Sequence, residues 1–337
     1  MSIRLSALDR SPVNKGENPT DGILNTVKLA QKAEELGFHR FWVSEHHGSD
    51  ALAGSSPEIL ISYLVSQTNH IRIGSGGVML QHYSPYKVAE NFNLLSILAP
   101  GRIDLGVGRG PGGLPRSTHA LTPAVNGEPI SLEDKIDNLN RYLQPDGVEG
   151  LRAQPVPTSP PELYVLGTGQ SSAELTAAQG LPYVYAHFIN GDEPLLKESL
   201  STYRTKFNAT KGEVPELILA IYVLYADTDE EAERLAAEQV TYQVHLQSSG
   251  KTLSIQSLEH AERIGQQANE PYTISSKPTS IIYGTRETVV RKILNISEAH
   301  NIEEIMILPA VHKLEQRLQT YEWLSADIKQ YQEAEKV

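Results

Sequence analysis

Cysteine is absent from all 337 residues. Disulfides, thiolate metal sites and a cysteine nucleophile are therefore excluded. Long apolar runs are missing as well. No stretch approaches the ~20 residues that cross a bilayer, and the N-terminal MSIRLSALDRSP lacks the apolar core of a signal peptide. A cytoplasmic protein with no membrane partner is expected. Basic residues are outnumbered, 29 Lys and Arg against 41 Asp and Glu, for a net charge of −12. That balance argues against a general binder of nucleic acid or anionic membrane.

Strand and helix patterns alternate along the chain, and the 39% hydrophobic content is enough for a sizeable core. Strands are expected at Ile3–Leu8, Phe38–Ser44, His70–Ile73, Arg102–Leu105, Glu162–Leu166, Tyr183–His187, Leu217–Ala226 and Glu303–Leu308. The intervening helices carry ordinary start and stop signals. Pro57 and Pro85 open two of them, Ser131 with Asp134 opens another, and Gly37 and Gly180 close two. Residues 114–130 read as a long loop, and Asp227 as the N-cap of an acidic helix. Eight strands each followed by a helix is the count of an α/β fold of the (β/α)8 TIM-barrel type. The polar, Ser-rich stretch Gln247–Ile282 breaks that rhythm and reads as an insertion before the last strand. The whole chain, 1–337, is expected to be one barrel domain.

The richest segment runs from His70 to Gly113, HIRIGSGGVMLQHYSPYKVAENFNLLSILAPGRIDLGVGRGPGG. Two strands flank one amphipathic helix, and each strand opens into glycines at the end where α/β proteins bind ligands. Gly76-Gly77 fits either a bulge or a close backbone approach to a ligand. Gly108 to Gly113 match GxGxxG, but Pro111 and Pro115 spoil the helix that a dinucleotide site needs, and Glu128 lies in a loop. Turn geometry and a glycine-lined ligand site remain as readings. Arg109 in that loop points to an anionic ligand. Thr168-Gly169-Gln170-Ser171-Ser172 joins a strand to a helix N-terminus, where free N–H groups favour an anion. Alone it fits an ordinary cap equally well; beside Arg109 it points to a phosphate site. Glu45-His46-His47 ends the second strand. Alternation sends the two histidines to opposite sides, so at most one faces the barrel mouth, as a structural residue or as a catalyst.

FWVSEHH, GSGGVMLQHYSPYKVAENFNLLSILAPGRIDLGVGRG, the small-residue turn before AELTAAQGLPYVYAHF, and GTRETVVRKI together resemble the bacterial luciferase-like, flavin-dependent monooxygenase family. The similarity runs through most of the chain and is weakest at Leu114–Pro161 and Gln247–Ile282. It implies a (β/α)8 barrel with FMN at the C-terminal mouth. Gly76 and Gly77 match the family's small-residue pair beneath the flavin ring, often joined by a non-proline cis peptide. Arg109 falls on the phosphate-binding arginine, Thr168, Gly169 and Ser172 on the loop that meets the same phosphate, and His46 on the histidine near the flavin's reactive edge. Gly108 stands where light-emitting luciferases carry a reactive cysteine, so nothing here implies light.

The activity implied is that of a two-component monooxygenase. A flavin reductase supplies reduced FMN, which reacts with O2 to a peroxyflavin that oxygenates a small aldehyde, ketone or other apolar compound. His46 would act there as acid or base with a pKa suited to neutral pH. The resemblance also implies a homodimer paired through helices near the second and third strands, with Pro57–Thr68 apolar enough to permit it, and a mobile lid at residues 247–282. Two rival readings keep the barrel: hydride transfer with a deazaflavin, and flavin binding without turnover. A barrel hydrolase would want two placed carboxylates, whereas these strand ends supply glycine, histidine and arginine.

Overall fold

The structure is a computed structural model that describes residues 3–110, 112–122, 130–210 and 214–334. Pro111 and Glu128, weighed above in the glycine motif, lie outside the described residues. Eight parallel strands close a barrel: β1 (Arg4–Asp9), β2 (Arg40–Val43), β3 (Arg72–Met79), β4 (Ile103–Gly108), β5 (Glu162–Gly167), β6 (Tyr183–Ala186), β7 (Leu217–Tyr225) and β12 (Glu304–Pro309). The last of these lies between β7 and β1, with Ile307 opposite both Ala7 and Ile221. Around them run α1 (Pro19–Glu35), α2 (Pro57–Gln67), α3 (Pro85–Leu98), α4 (Pro115–Leu121), α5 (Leu132–Tyr142), α6 (Gln170–Ala178), α7 (His187–Asn190), α8 (Glu193–Lys206), α9 (Asp229–Ala237), α11 (Arg286–His300) and α12 (Leu314–Ala334).

The TIM barrel expected from the alternating pattern is therefore present, and the period-2 alternation explains its two cores. On β2, Phe41 and Val43 pack outward against the helices while Trp42 points into the barrel. Met306 and Leu308 of β12, Ile218, Ala220 and Tyr222 of β7, Tyr164 of β5 and Leu8 of β1 fill the interior with it. No helix among the described residues is long and apolar enough to cross a membrane.

Four local expectations are corrected. The stretch after Gly113 is not all loop: Pro115 takes the first turn of α4, where its missing N–H costs nothing. The acidic helix is capped by Thr228, whose side chain accepts from the Glu231 N–H, and not by Asp227. His187 opens α7 instead of ending β6. The insertion begins at Val240, not Gln247. It folds as an antiparallel sheet of β8 (Val240–Leu246), β9 (Thr252–Ile255) and β10 (Tyr272–Pro278), backed by α10 (Leu258–Gln267). Its sequence end is also shorter, because β11 (Ile281–Gly284) returns to the main sheet and pairs with the distal half of β7.

The strand N-terminal ends carry a buried ionic lattice. Arg40 Nε donates to Glu304 Oε1 at 2.7 Å, and its Nη1 donates to Asp104 Oδ2 at 3.0 Å and to Tyr164 Oη at 2.6 Å. Trp42 Nε1 donates to Asp104 at 2.8 Å, and Ser6 Oγ to Glu304 at 2.6 Å. Arg72 pairs with both Asp104 and Glu162. Burial works against the Arg40 charge, but Asp104 and Glu304 outweigh it and hold the guanidinium above its ordinary pKa. This end of the barrel is plugged.

Candidate active site

At the opposite end, each strand runs out into the loops that carry the residues singled out by sequence. The Gly76–Gly77 peptide on β3 is cis, and the β3–β4 register slips there, with Gly76 opposite Gly106 and Val78 opposite Val107. Sterics explain the glycines. A Cβ on Gly76 would lie 2.7 Å from Leu8 Cδ1, one on Gly77 2.7 Å from the Gly106 carbonyl oxygen, and one on Gly106 2.2 Å from the Ser75 carbonyl oxygen. These three are small because the barrel's own backbone and the Leu8 side chain crowd them. Gly108 differs: a Cβ there would meet nothing nearer than Leu166 Cβ at 3.9 Å. Open space at the rim is found at Gly108, one residue before Arg109.

Arg109 is exposed, and its guanidinium makes no hydrogen bond or ion pair among the described residues. The β4–β5 register sets Val107 opposite Val165, so Arg109 stands level with Gly167 as β5 turns into α6. Gly169 is the N-cap of α6, with Gln170, Ser171 and Ser172 in its first turn. First-turn N–H groups have no partner within a helix, and they begin after the strand that neighbours the one ending just before Arg109. Ser172 enters differently from the sequence reading. Its Oγ donates to the Gly169 carbonyl at 2.7 Å and lies 2.8 Å from Tyr183 Oη, so its one O–H is spent inward. What Ser172 can offer a ligand is its backbone N–H. The Thr168 carbonyl accepts from Asn190 Nδ2 at 2.7 Å, and Lys277 from the insertion donates to the Asn190 carbonyl at 2.9 Å, which braces this turn from behind.

His46 and His47 do part company. His47 is fixed structurally: its Nε2 is 2.7 Å from Glu45 Oε1, and its N–H donates to the Gly112 carbonyl at 2.6 Å. Glu45 is buried and also accepts from Tyr83 Oη at 2.7 Å and from the Met79 N–H at 3.0 Å. That ties β2 to the loop after the cis peptide, a clamp that sequence alone gave no way to see. His46 Nδ1 lies 3.1 Å from Ser44 Oγ. Burial, then the charges of Arg10, His47 and His260, push its imidazole down to about 3. The expectation of a pKa near neutrality is thus corrected: the ring is neutral across the physiological range. Arg10 Nη2 donates to Gln256 of the insertion at 2.7 Å, so the end of β1 and the insertion meet at this mouth. Arg10 was missed by motif reading; its signal was its position, directly after a barrel strand.

The model of the luciferase-like monooxygenase family matches residues 1–300. The N-acetyl-S-alkylcysteine monooxygenase of Bacillus subtilis (strain 168) is 42% identical over 330 residues, covering 96% of this chain and 97% of that one. Among solved structures, apo-MsnO8 superposes with a TM-score of 0.79 at 32% identity, covering 97% and 98% of the two chains. At 18% identity, two further structures share the fold alone. One is a type II Baeyer-Villiger monooxygenase, the oxygenating constituent of 3,6-diketocamphane monooxygenase from Pseudomonas putida in complex with FMN (TM-score 0.68, 97% and 98% covered). The other is an F420-dependent secondary alcohol dehydrogenase (TM-score 0.61, 96% and 98% covered). With its barrel closed, its insertion placed before the last strand and its sequence matched from end to end of the barrel, the chain belongs to the luciferase-like monooxygenase family and is an oxidoreductase that incorporates molecular oxygen.

Proposed function

We propose that this protein is an FMN-dependent monooxygenase of the two-component kind, working on a small organic substrate with reduced FMN delivered by a separate flavin reductase. The single observation that carries the reading is the unpaired Arg109 guanidinium beside the start of α6. A cation free of carboxylates and a helix N-terminus on adjacent strand ends fit a phosphate. The donor set therefore suits FMN: Arg109 and the first-turn N–H groups of Gln170, Ser171 and Ser172 would hold its phosphate, with Thr168 and Gly169 shaping the turn. The Gly76–Gly77 backbone would support the ring. A bound reduced flavin supplies the two electrons that activate O2.

The chain's own residues account for the rest of the mechanism. Leu8, Trp42 and Leu166 form an apolar floor under the rim glycines, which keeps water from the reacting centre. His46 is neutral, so it donates or accepts a hydrogen bond at a ring nitrogen without bringing a fixed charge. With Nδ1 beside Ser44 Oγ, its Nε2 is the atom left for reacting groups. The relative's name makes thioethers of N-acetylcysteine the first substrates to assay. Pairing of two copies through α2 and α3 is part of the same reading, supported by Ile59, Tyr63, Leu94, Ile97 and Leu98, large apolar side chains left exposed on those two helices.

The test is reconstitution with FMN and, separately, with a deazaflavin, followed by O2 consumption in the presence of a reductase and a thioether. Substrate-dependent O2 use with FMN alone supports the proposal. Hydride transfer only with the deazaflavin, as the F420-dependent neighbour would suggest, overturns it. His46→Ala should abolish turnover and keep flavin binding; full retention of turnover would show that His46 is not catalytic, and flavin binding by the wild type without any turnover would mark a flavin carrier instead.

A further inference from the structure

Arg10 sits directly after β1, and β1 is four strands from β5 in either direction around the barrel. It therefore faces the mouth from the side opposite the Thr168–Ser172 turn. Its neighbour Asp9 is no partner for it. The Asp9 carboxylate is buried and taken up by Arg317, by Thr26 Oγ1 at 2.6 Å and by the Ser11 N–H at 3.2 Å. The chain holds 41 carboxylate side chains, yet none pairs with Arg10 among the described residues. Instead Arg10 Nη2 donates to the side-chain oxygen of Gln256 at 2.7 Å, and the guanidinium lies 5.5 Å from the centre of the Tyr222 ring. Gln256 Nε2 in turn donates to Tyr222 Oη at 2.8 Å. Gln256 is exposed and belongs to the insertion, between β9 and α10. A cavity of about 60 Å³ opens against this cluster, lined by Leu8, Leu308 and His312 beside Arg10, Tyr222 and Gln256.

A carboxamide and a carboxylate are both planar and nearly equal in size, but only the carboxylate makes a charge-assisted pair with the arginine fork. We infer that Arg10 binds a carboxylate on the organic substrate, and that Gln256 holds the place of that carboxylate until it arrives. The inference rests on the reading that this mouth takes a small organic substrate, and it adds the chemical class: an anionic one, held by its acid group across the barrel from the cofactor's phosphate. It also explains why a half-buried cation is left on a neutral partner. Displacing the Gln256 side chain frees one contact of the insertion with the barrel, so substrate entry and the seating of the insertion become one event.

The experiment is a calorimetric titration of the protein loaded with oxidised FMN, using two acid–ester pairs: N-acetyl-S-methylcysteine and its methyl ester, and 3-(methylthio)propanoate and its methyl ester. The wild type should bind an acid at least about tenfold more tightly than its ester, the loss expected when a charge-assisted hydrogen bond is removed. Arg10→Gln should bring the acid down to the level of its ester and leave the ester unchanged. Gln256→Ala, which keeps the arginine and removes the placeholder, should strengthen acid binding about threefold without moving the ester. Equal binding of acid and ester by the wild type, or no measurable binding of any of the four, overturns the inference. So does an Arg10→Gln variant that weakens acid and ester alike, the result expected if Arg10 only latches the insertion. Should Arg10→Gln fail to fold, absence of an acid-specific gain in Gln256→Ala overturns it equally. Flavin absorbance in the same samples reports FMN occupancy, so failure of the flavin reading is seen separately.

Discussion

Arg40 and Arg109 belong to the same barrel and have opposite surroundings. Arg40, at the N-terminal end of β2, is buried and paired to Glu304 and Asp104, with Tyr164 accepting a third contact. Arg109, just past the C-terminal end of β4, is exposed and unpaired among the described residues. The glycines follow the same division of labour. Gly74, near the plugged end, leaves room for Asp104 and Trp42, whereas Gly108 at the mouth leaves room for nothing in the protein. A buried charge with every hydrogen bond satisfied fixes one arrangement of strands; a charge left without a partner is free to take one from outside. The comparison teaches that stability and recognition were placed at opposite ends of the strands, so each can be removed without the other.

The strongest way to break that division is Arg40→Met. Removing the cation leaves buried Glu304 with only Ser6 and, at 3.6 Å, Arg4, and Asp104 with only Arg72 and Trp42, and about 3 kcal/mol of stability should be lost. Urea unfolding measures it. Flavin affinity of the fraction that remains folded should not change; a selective loss of flavin with stability intact would erase the distinction between the two ends. A sharper contrast comes from two glycines on one strand. Gly106→Ala drives a methyl to 2.2 Å from the Ser75 carbonyl oxygen and should cost ~3 kcal/mol. Gly108→Ala, two residues on, should cost less than about 0.5 kcal/mol. Equal costs would mean that the rim is as tightly built as the wall.

The two ends also differed in how well they could be read. All eight barrel strands were legible in their places through short buried apolar runs, and β7, LILAIYVLY, is the plainest; β3, expected at His70–Ile73, instead runs on through its glycines to Met79, because glycines carry no side-chain pattern to mark a strand. The rim residues were legible as types, glycine and arginine after strands, but not as contacts. The Ser172–Gly169 contact is local, three residues apart, but nothing local tells that Tyr183 holds the same hydroxyl inward, or that burial keeps His46 neutral. The insertion was legible only as a break in rhythm. On β9 and β10 half the side chains or more face solvent, which leaves too little apolar pattern to signal a strand, and the sheet's first strand, β8, was hidden behind the acidic helix. Pro115 was read as a breaker where it is a first-turn residue, because a proline fits both.

Arg109→Ala is the counterpart of the Arg40 variant. Thermal or urea stability of the flavin-free protein should stay within about 0.5 kcal/mol of wild type, and FMN affinity, followed by quenching of flavin fluorescence, should fall about 10- to 100-fold as a charge-assisted contact to phosphate is lost. Riboflavin, which lacks the phosphate, should bind both proteins alike. Equal weakening of FMN and riboflavin would show that the arginine supports the loop and not the phosphate.

The smallest effect is expected at His46, where the mouth does carry a stability cost. Its imidazole is pushed by burial from 6.5 down to about 3, so the unfolded chain takes up a proton that the folded protein refuses. The contribution to stability is therefore fully present above pH 6.5 and is lost as the pH falls toward 3, with a slope of at most about 1.4 kcal/mol per pH unit. At pH 5.5 the loss amounts to about 1.4 kcal/mol. His46→Asn has no proton to refuse, so its stability should fall less than that of the wild type between pH 7.5 and 5.5, by about that amount, in parallel urea titrations. Curves that stay parallel across this range would mean that the folded protein protonates His46 as readily as the unfolded chain does, and the neutral ring assigned to the mouth would be lost with it.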